Sequence, residues 1–448
     1  MTVKSQKTNF FLMKTIYSTL ILFLSFNILA QTTYFPPISG STWDTVSMSS
    51  LGWCENEWPT LRTILDQNDT KAFIVLKDGK IVIEEYFDQF TEDSVWYWAS
   101  AGKTMTSFLV GLAQQDGDLE INDLTSDYLD TGWTSAPSSK ENLITIKNQL
   151  SMTTGLDDGN GNVDCTDDTC LQYLADAGTR WAYHNAPYTL LTDVIEAATG
   201  TDINVYVFQK LYAATGISGS YIVSGGYNHV FFSKPRMMAR FGLLIQNKGT
   251  WNGTPVLSDT NYYNEMVNTS QNLNLSYGYL WWLNGKNSFM FPQSQLVFPG
   301  PLSPHGPSDM FSALGKNGQI LNVVPSQNLV MVRMGNDPGT GNALVSSTFN
   351  DTIWKYFAPI QCNSTAIEDQ TNEETIEIFP NPAKDIINIT RETNHPVNYS
   401  ITALNGTTIK TGQTIRSINT QDLNAGSYIL SLQLKKQTII HKRFILIQ

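Results

Sequence analysis

Histidine is scarce in this chain, five in 448. Two of the five, His395 and His441, fall in a C-terminal segment of different composition, leaving His184, His229 and His305. A Ser-His-Asp triad or a histidine-rich metal centre has little to build from. No G-x-S-x-G and no H-E-x-x-H occurs. Gly102-Lys103-Thr104 ends like a phosphate loop, but Tyr97 stands where the glycine five residues earlier is required. Asp158-Gly159-Asn160-Gly161-Asn162 begins like a calcium loop, yet Val163 and Thr169 hold the positions of its glycine and glutamate. Positive charge is also short. With 28 Lys+Arg against 40 Asp+Glu the net charge is −12, which argues against a nucleic-acid or anionic-membrane surface. The four cysteines form no C-x-x-C pair, so no zinc pattern exists. Disorder is excluded by 41% hydrophobic and 11% aromatic residues, enough for a large core.

At this length two or three domains are expected rather than one. Residues 1–30 carry Lys4, Lys7 and Lys14 and no acidic residue, followed by an apolar run over 16–30. That run is shorter than the roughly 20 residues needed to cross a bilayer. With Ile28-Leu29-Ala30 as a cleavage site, the segment reads as a secretory signal peptide. Export suits disulfides. Cys165 and Cys170 are close enough to close a short loop, and Cys54 and Cys362 lie near the two ends of the main domain at 31–358. A polar stretch at 359–375 reads as a linker. Beyond it, short alternating strands separated by Gly- and Asn-bearing turns mark a small all-β sandwich at 376–448.

In the main domain, segments 73–76 and 81–87 alternate about Asp78-Gly79, a hairpin signal. Segments 310–314, 319–324 and 329–334 give three more strands, and 104–115 and 189–198 have helical spacing. Strands at both ends with helices between them predict an α+β fold: one antiparallel sheet built from both termini, with an inserted helical region. Ser100-Ala101-Gly102-Lys103 is the only S-x-x-K in the chain and opens a helix. At i and i+3 the two side chains share a face, and the helix N-terminus adds positive potential and a free N–H for an oxyanion. By itself the tetrapeptide is equally an ordinary helix start with a solvated lysine. Tyr183-His184-Asn185 supplies Y-x-N before a second helix. A tyrosine beside a cationic lysine has its phenolate favoured and can take the serine proton. Asn185 can hold a substrate carbonyl or orient Lys103. Tyr183 alone also reads as a packing aromatic.

Together these residues resemble the serine β-lactamase and penicillin-binding-protein superfamily, nearest the branch with S-x-x-K and Y-x-N. That branch includes class C β-lactamases, D,D-peptidases, esterases and 6-aminohexanoate-oligomer amidases. Gly117-Asp118-Leu119-Glu120-Ile121-Asn122-Asp123 is similar to the family's G-x-L-x-L-x-D connection. Ile144-Thr145-Ile146, followed by Gln149-Leu150-Ser151-Met152-Thr153-Thr154-Gly155-Leu156, is similar to its I-T-I…L-L-T-H-T-S-G-L stretch, with Met152 where many members have His. Lys316-Asn317-Gly318 fits the third motif by type, although Asn-Gly between two apolar strands is already a complete hairpin turn. Counting back from Pro325, the strand beside the nucleophile is alternatively 310–313, with Ser312 nearer the site.

The resemblance spans about 72–335 and implies a β-lactamase/transpeptidase-like antiparallel sheet flanked by helices. It implies two-step acyl transfer, with Ser100 attacking, Lys103 and Tyr183 moving the proton, and Asn185, Lys316 and Gly318 at the substrate. The substrate is then a small-molecule ester, amide or lactam, and no metal or organic cofactor is called for. The rival readings are a β-lactamase or D,D-carboxypeptidase and, from another class, a catalytically silent binding protein of the same fold. Trp96, Trp98, Trp281 and Trp282 line an acyl pocket or belong to the core. At the far end, Pro380-Asn381-Pro382-Ala383, Asn405-Gly406 and Leu423-x-x-Gly426-x-Tyr428 resemble the C-terminal sorting domain of type IX secretion. That implies the type IX machinery as partner and a secreted or cell-surface protein, with no transmembrane segment in the mature chain.

Overall fold

The computed structural model describes residues 33–159, 161–339, 345–362, 377–390, 395–403, 407–433 and 439–447. The expected signal peptide and most of the expected linker lie outside them. The chain divides into two compact units, Met1–Cys362 and Asn363–Gln448.

The first unit begins with α1 (Trp58–Gln67), which stacks Trp58 on Phe73 of the first strand. β1 (Thr70–Lys77) and β2 (Lys80–Tyr86) form the expected hairpin. Its turn residues Asp78 and Gly79 both have positive φ, 50° and 81°, which matches the twist of the flanking strands. Only glycine fits the second position, because a Cβ there would meet the Tyr34 carbonyl oxygen at 1.8 Å. A small sheet follows, of β3 (Trp96–Tyr97), β4 (Ser220–Ser224) and β5 (Asn228–Ser233), in the order β3-β5-β4. Late in the unit come β6 (Trp282–Leu283), β7 (Phe311–Gly315), β8 (Gln319–Val324) and β9 (Leu329–Gly335). They join the first hairpin in one six-stranded antiparallel sheet, ordered β2-β1-β9-β8-β7-β6. Both termini of the unit thus build the sheet, as the strand pattern predicts.

Between them lie α2 (Lys103–Asp116), α3 (Ile146–Leu150), α4 (Asn185–Thr189) and α5 (Leu191–Thr199), the inserted helical region. α6 (Pro235–Gln246) and α7 (Ser347–Phe357) cover opposite faces of the sheet. On α6, Gly242 rides so close to the sheet that a Cβ would meet Val330 at 2.4 Å and Leu321 at 2.7 Å. On α7, Phe349 faces the Arg333 guanidinium and Asn350 accepts from Asn322. Residues 330 and 333 on one strand, and 321 and 322 on the next, differ in parity and so point to opposite faces. Both expected disulfides form, Cys54–Cys362 and Cys165–Cys170. No helix among the described residues is long and apolar enough to cross a membrane.

The second unit is all β. Its sheets are β10 (Glu377–Phe379), β11 (Ile386–Thr390) and β14 (Ser417–Asn419), and β12 (Val397–Ala403), β13 (Thr408–Thr414), β15 (Gly426–Gln433) and β16 (Ile439–Leu446). Ile387, Ile401, Leu430, Leu432 and Phe444 are fully buried between them. β13 and β14, rich in Thr, Ser and Asn, carry little hydrophobic alternation.

Candidate active site

Ser100 sits in a single 3-10 turn, Ala99–Gly102, that runs straight into α2. Ala99 before it has φ 46°, a left-handed conformation costing a non-glycine residue roughly 1 kcal/mol. The turn is held from outside. The Trp98 amide donates to the Phe231 carbonyl (2.8 Å), and its buried indole donates to Ser233 Oγ (2.8 Å). Gly102 lies where a Cβ would press on Phe231 Cβ at 3.1 Å. Ser100 itself stays partly accessible.

Lys103, the first residue of α2, is 1% exposed, with Nζ 3.2 Å from Ser100 Oγ. Its amine lies 3.9 Å from the ring centroid of Tyr188 and 5.2 Å from that of Tyr183. Burial pushes its pKa down to about 7, opposed by the negative charge of Asp164. The amine is therefore largely able to exist uncharged near neutral pH, in contact with the serine.

Tyr183 is held by a segment the sequence marks by its Thr-Thr-Gly-Leu run. The Ala182 amide donates to the Met152 carbonyl (2.9 Å), and Gly178 donates to the Thr153 carbonyl (2.8 Å). Met152, in the family's histidine position, has φ 59°. Trp282 lies face to face with Tyr183 (centroids 5.7 Å apart), and Tyr277 stands edge-on to Trp282 at 4.9 Å. The hydroxyls of Tyr183 and Tyr277 are buried and make no hydrogen bond of ordinary geometry. Burial pushes the Tyr183 phenol well up, and the nearby Ser100 and Trp282 pull it back only in part. The expected phenolate is thus the wrong way round. Burial brings the lysine down to about 7, while the tyrosine keeps its proton.

Asn185 opens α4 and donates from Nδ2 to Asp164 Oδ1 (2.8 Å), while its Oδ1 is buried without a partner. Asp164 had no signal in the sequence, because it reaches the site from a loop 21 residues away with no periodicity to mark it. Tyr188 and Tyr277 belong to no motif in the sequence.

The third motif falls differently from the resemblance. Lys316 is exposed, and Lys316–Gly318 forms the turn between β7 and β8, with Asn317 at φ 62° and Gly318 at φ 72°. Asn317 donates to the Tyr97 hydroxyl (2.7 Å), the Gly318 amide donates to Ser346 Oγ (2.7 Å), and buried Arg333 donates to both their carbonyls. The residue against the Ser100 turn is Gly315, where a Cβ would meet Trp98 O at 2.6 Å, Ala101 N at 2.9 Å and Ser100 N at 3.1 Å. Ser312 is buried in a polar ladder, donating to Asn322 (2.7 Å). Of the four tryptophans singled out in the sequence, Trp98 and Trp281 belong to the core, Trp96 edges Phe90, and Trp282 packs on Tyr183, where Trp181 joins it. His184 is buried with its pKa pushed down to about 4, and His305 pairs with Asp351 (2.8 Å). Asp158, of the calcium-like stretch, is bound to Arg180 at 2.6 Å.

An antiparallel sheet with a Ser-x-x-Lys turn at its edge and a Tyr-x-Asn segment beside it defines a β-lactamase-type hydrolase fold. Residues 65–349 match the beta-lactamase family model, and the chain belongs to that family. Residues 377–447 match the secretion system C-terminal sorting domain, which directs type IX secretion to the cell surface or exterior. An uncharacterized protein of Alkalihalophilus pseudofirmus is 25% identical over 316 residues, 62% of this chain and 86% of that protein. Three solved structures share the fold. A Bacillus anthracis protein provisionally assigned as a 6-aminohexanoate-dimer hydrolase has a TM-score of 0.57 at 17% identity, over 75% of this chain and 91% of its own. A penicillin-binding protein homolog from Caulobacter crescentus gives 0.53 at 13%, over 69% and 99%. A family VIII carboxylesterase gives 0.52 at 15%, also over 69% and 99%.

Proposed function

We propose that the chain is a secreted serine hydrolase that cleaves an ester or amide bond through an acyl-enzyme on Ser100. The observation that carries this is the buried Lys103 amine, 3.2 Å from Ser100 Oγ with its pKa brought down to about 7. A neutral amine there takes the serine proton as Oγ bonds to the substrate carbonyl carbon. The tetrahedral oxyanion is met by the Ser100 amide and a main-chain N–H at the Gly315 end of β7, each worth about 3 kcal/mol. As the intermediate collapses, the bond to the leaving oxygen or nitrogen breaks and Tyr183, protonated, delivers a proton to it. Lys103 returns its proton to Tyr183. Water then attacks the acyl-enzyme by the same route in reverse, releasing the acid and Ser100. In this reading Asn185 holds the substrate carbonyl or orients Lys103.

The substrate class is supported by the neighbours, a 6-aminohexanoate-dimer hydrolase assignment and a carboxylesterase among them, and by the sorting domain. A wall-remodelling D,D-peptidase works in the periplasm, whereas this chain is sent outward. In this reading residues 1–30 are a signal peptide, 31–358 the hydrolase, 359–375 a linker, and 376–448 the sorting domain. Lys316 and Gly318 then serve the turn behind Gly315 rather than the substrate.

The test compares the parent with Ser100→Ala on short-chain p-nitrophenyl esters, secondary amides and nitrocefin, with fluorophosphonate and fluorescent-penicillin labelling. Ester or amide turnover is expected in the parent, falling roughly 10⁴-fold or more in the variant. Nitrocefin turnover that dominates both would make the chain a β-lactamase, and no label on Ser100 would make it a binder.

A further inference from the structure

Asp164 lies outside the Ser100, Lys103 and Tyr183 set yet is bonded into it. It immediately precedes Cys165, whose disulfide to Cys170 closes the loop. That loop is fixed to α4 at two adjacent points. The Ala186 amide donates to the Val163 carbonyl (3.0 Å), and Asn185 Nδ2 donates to Asp164 Oδ1 (2.8 Å). Farther along, the Tyr227 hydroxyl donates to Asp167 (2.9 Å), tying the loop to the β4–β5 hairpin. A carboxylate can only accept, so the Asp164 bond decides which way round the Asn185 amide lies. Its nitrogen faces the loop, and its Oδ1 is left buried and unpartnered.

We propose that Asp164 is a positioning residue for the acyl-transfer centre, holding the Asn185 amide in one orientation and supplying the negative charge that Lys103 feels. The proposal rests on the reading of Ser100 as nucleophile. Without the carboxylate, Asn185 is free to turn, and the buried amine loses a negative charge that favours its protonated form.

The other groups facing Lys103 are Ser100 from its own turn and Tyr183 and Tyr188 at α4, with Tyr277 behind them. Burial holds all three phenols protonated through the working range. Arg180 is committed to Asp158, and buried His184 stays neutral above about pH 4. The acid limb of kcat/KM therefore reports Lys103 and falls near pH 7.

The experiment measures kcat/KM against pH from 5 to 10 on a p-nitrophenyl ester for the full-length parent, Asp164→Asn and Asp164→Ala. Melting curves check that each variant folds. Asp164→Asn keeps an oxygen for Asn185 but removes the charge, so its acid limb moves to lower pH by about half a unit or more. Asp164→Ala also frees Asn185, so its plateau kcat drops about tenfold in addition. An acid limb in Asp164→Asn that coincides with the parent's, or an Asp164→Ala plateau equal to the parent's, overturns the proposal. Fluorophosphonate labelling separates the two levels. A parent that is labelled at Ser100 while the pH profiles do not move refutes the role of Asp164 alone. A parent not labelled at Ser100 refutes the acyl-transfer reading and this proposal with it.

Discussion

Lys103 is an amine held where its charge is costly, and the cost has a definite pH signature. In the unfolded chain the amine keeps its proton up to its ordinary value of 10.5, whereas burial brings it to about 7 in the fold. Below pH 7 both states carry the proton, and the penalty for burying the charge is full and constant. Between pH 7 and 10.5 only the unfolded chain binds the proton, so stability rises with pH, and beyond 10.5 the penalty is gone. Lys103→Met keeps the length of the side chain and removes the amine. That variant is expected to be inactive yet more stable than the parent by about 3 kcal/mol at pH 7, with the gap closing toward pH 10. Urea unfolding at pH 6, 7.5 and 9 checks this, and a gap that does not shrink would assign the gain to packing alone. The pairing of Ser100 with Lys103 was legible in the sequence because it is local, one turn of helix apart. The depressed lysine was not, since the rings of Tyr188 and Tyr183 that bury it come from some 80 residues away. The same distance explains why the phenolate expectation failed, as charge in this site is set by burial rather than by the neighbour in the motif.

Elements rather than side chains bring the strand to the Ser100 turn. Gly315 ends β7 at φ −127°, ordinary extended backbone that alanine also adopts. What excludes a side chain is space, for the nearest atoms to a Cβ there are backbone atoms of the Ser100 turn, at 2.6 to 3.1 Å. Gly315→Ala is therefore expected to push the turn and strand apart, costing about 1–3 kcal/mol of stability through overpacking. The larger loss should be in kcat, about a hundredfold with KM little changed, because one oxyanion donor moves out of reach. Steady-state kinetics beside a melting curve reads both, and an unchanged kcat would remove Gly315 from the site. The strand edges at this point were legible from alternation and the Asn-Gly turn. Which residue touches the nucleophile was not, because close backbone approach leaves no mark on sequence except a glycine, and the segment holds two, Gly315 and Gly318. Gly318 answers to Arg333, whose guanidinium would lie 2.1 Å from a Cβ. Arg333 itself is fully buried and spends its donors on the carbonyls of Asn317, Gly318, Asn336 and Asn68.

At the scale of the whole molecule, the two units each own a core. Phe73, Val75, Phe241, Leu321 and Val332 are buried in the first, and Ile387, Ile401, Leu430 and Phe444 in the second. The first is closed by Cys54–Cys362, whose second cysteine is the last residue of that unit and which spans 308 residues of chain. On a chain-entropy account a loop of that size contributes about 6 kcal/mol. The position of a truncation therefore matters by a single residue. A chain ending at Cys362, made in an oxidising periplasm, should keep the parent's kcat/KM and melting temperature, since its core and its closing bond are complete. A chain ending at Gln361 leaves Cys54 unpaired and should melt several degrees lower. In the native host the Cys362 truncation should remain in the periplasm, active on added substrate only after the outer membrane is opened, because the sorting domain carries the export signal. Loss of activity in the purified Cys362 truncation would mean that the sorting unit takes part in the hydrolase, and the −12 net charge would then have to be read as a property of one working body rather than of an enzyme and its address.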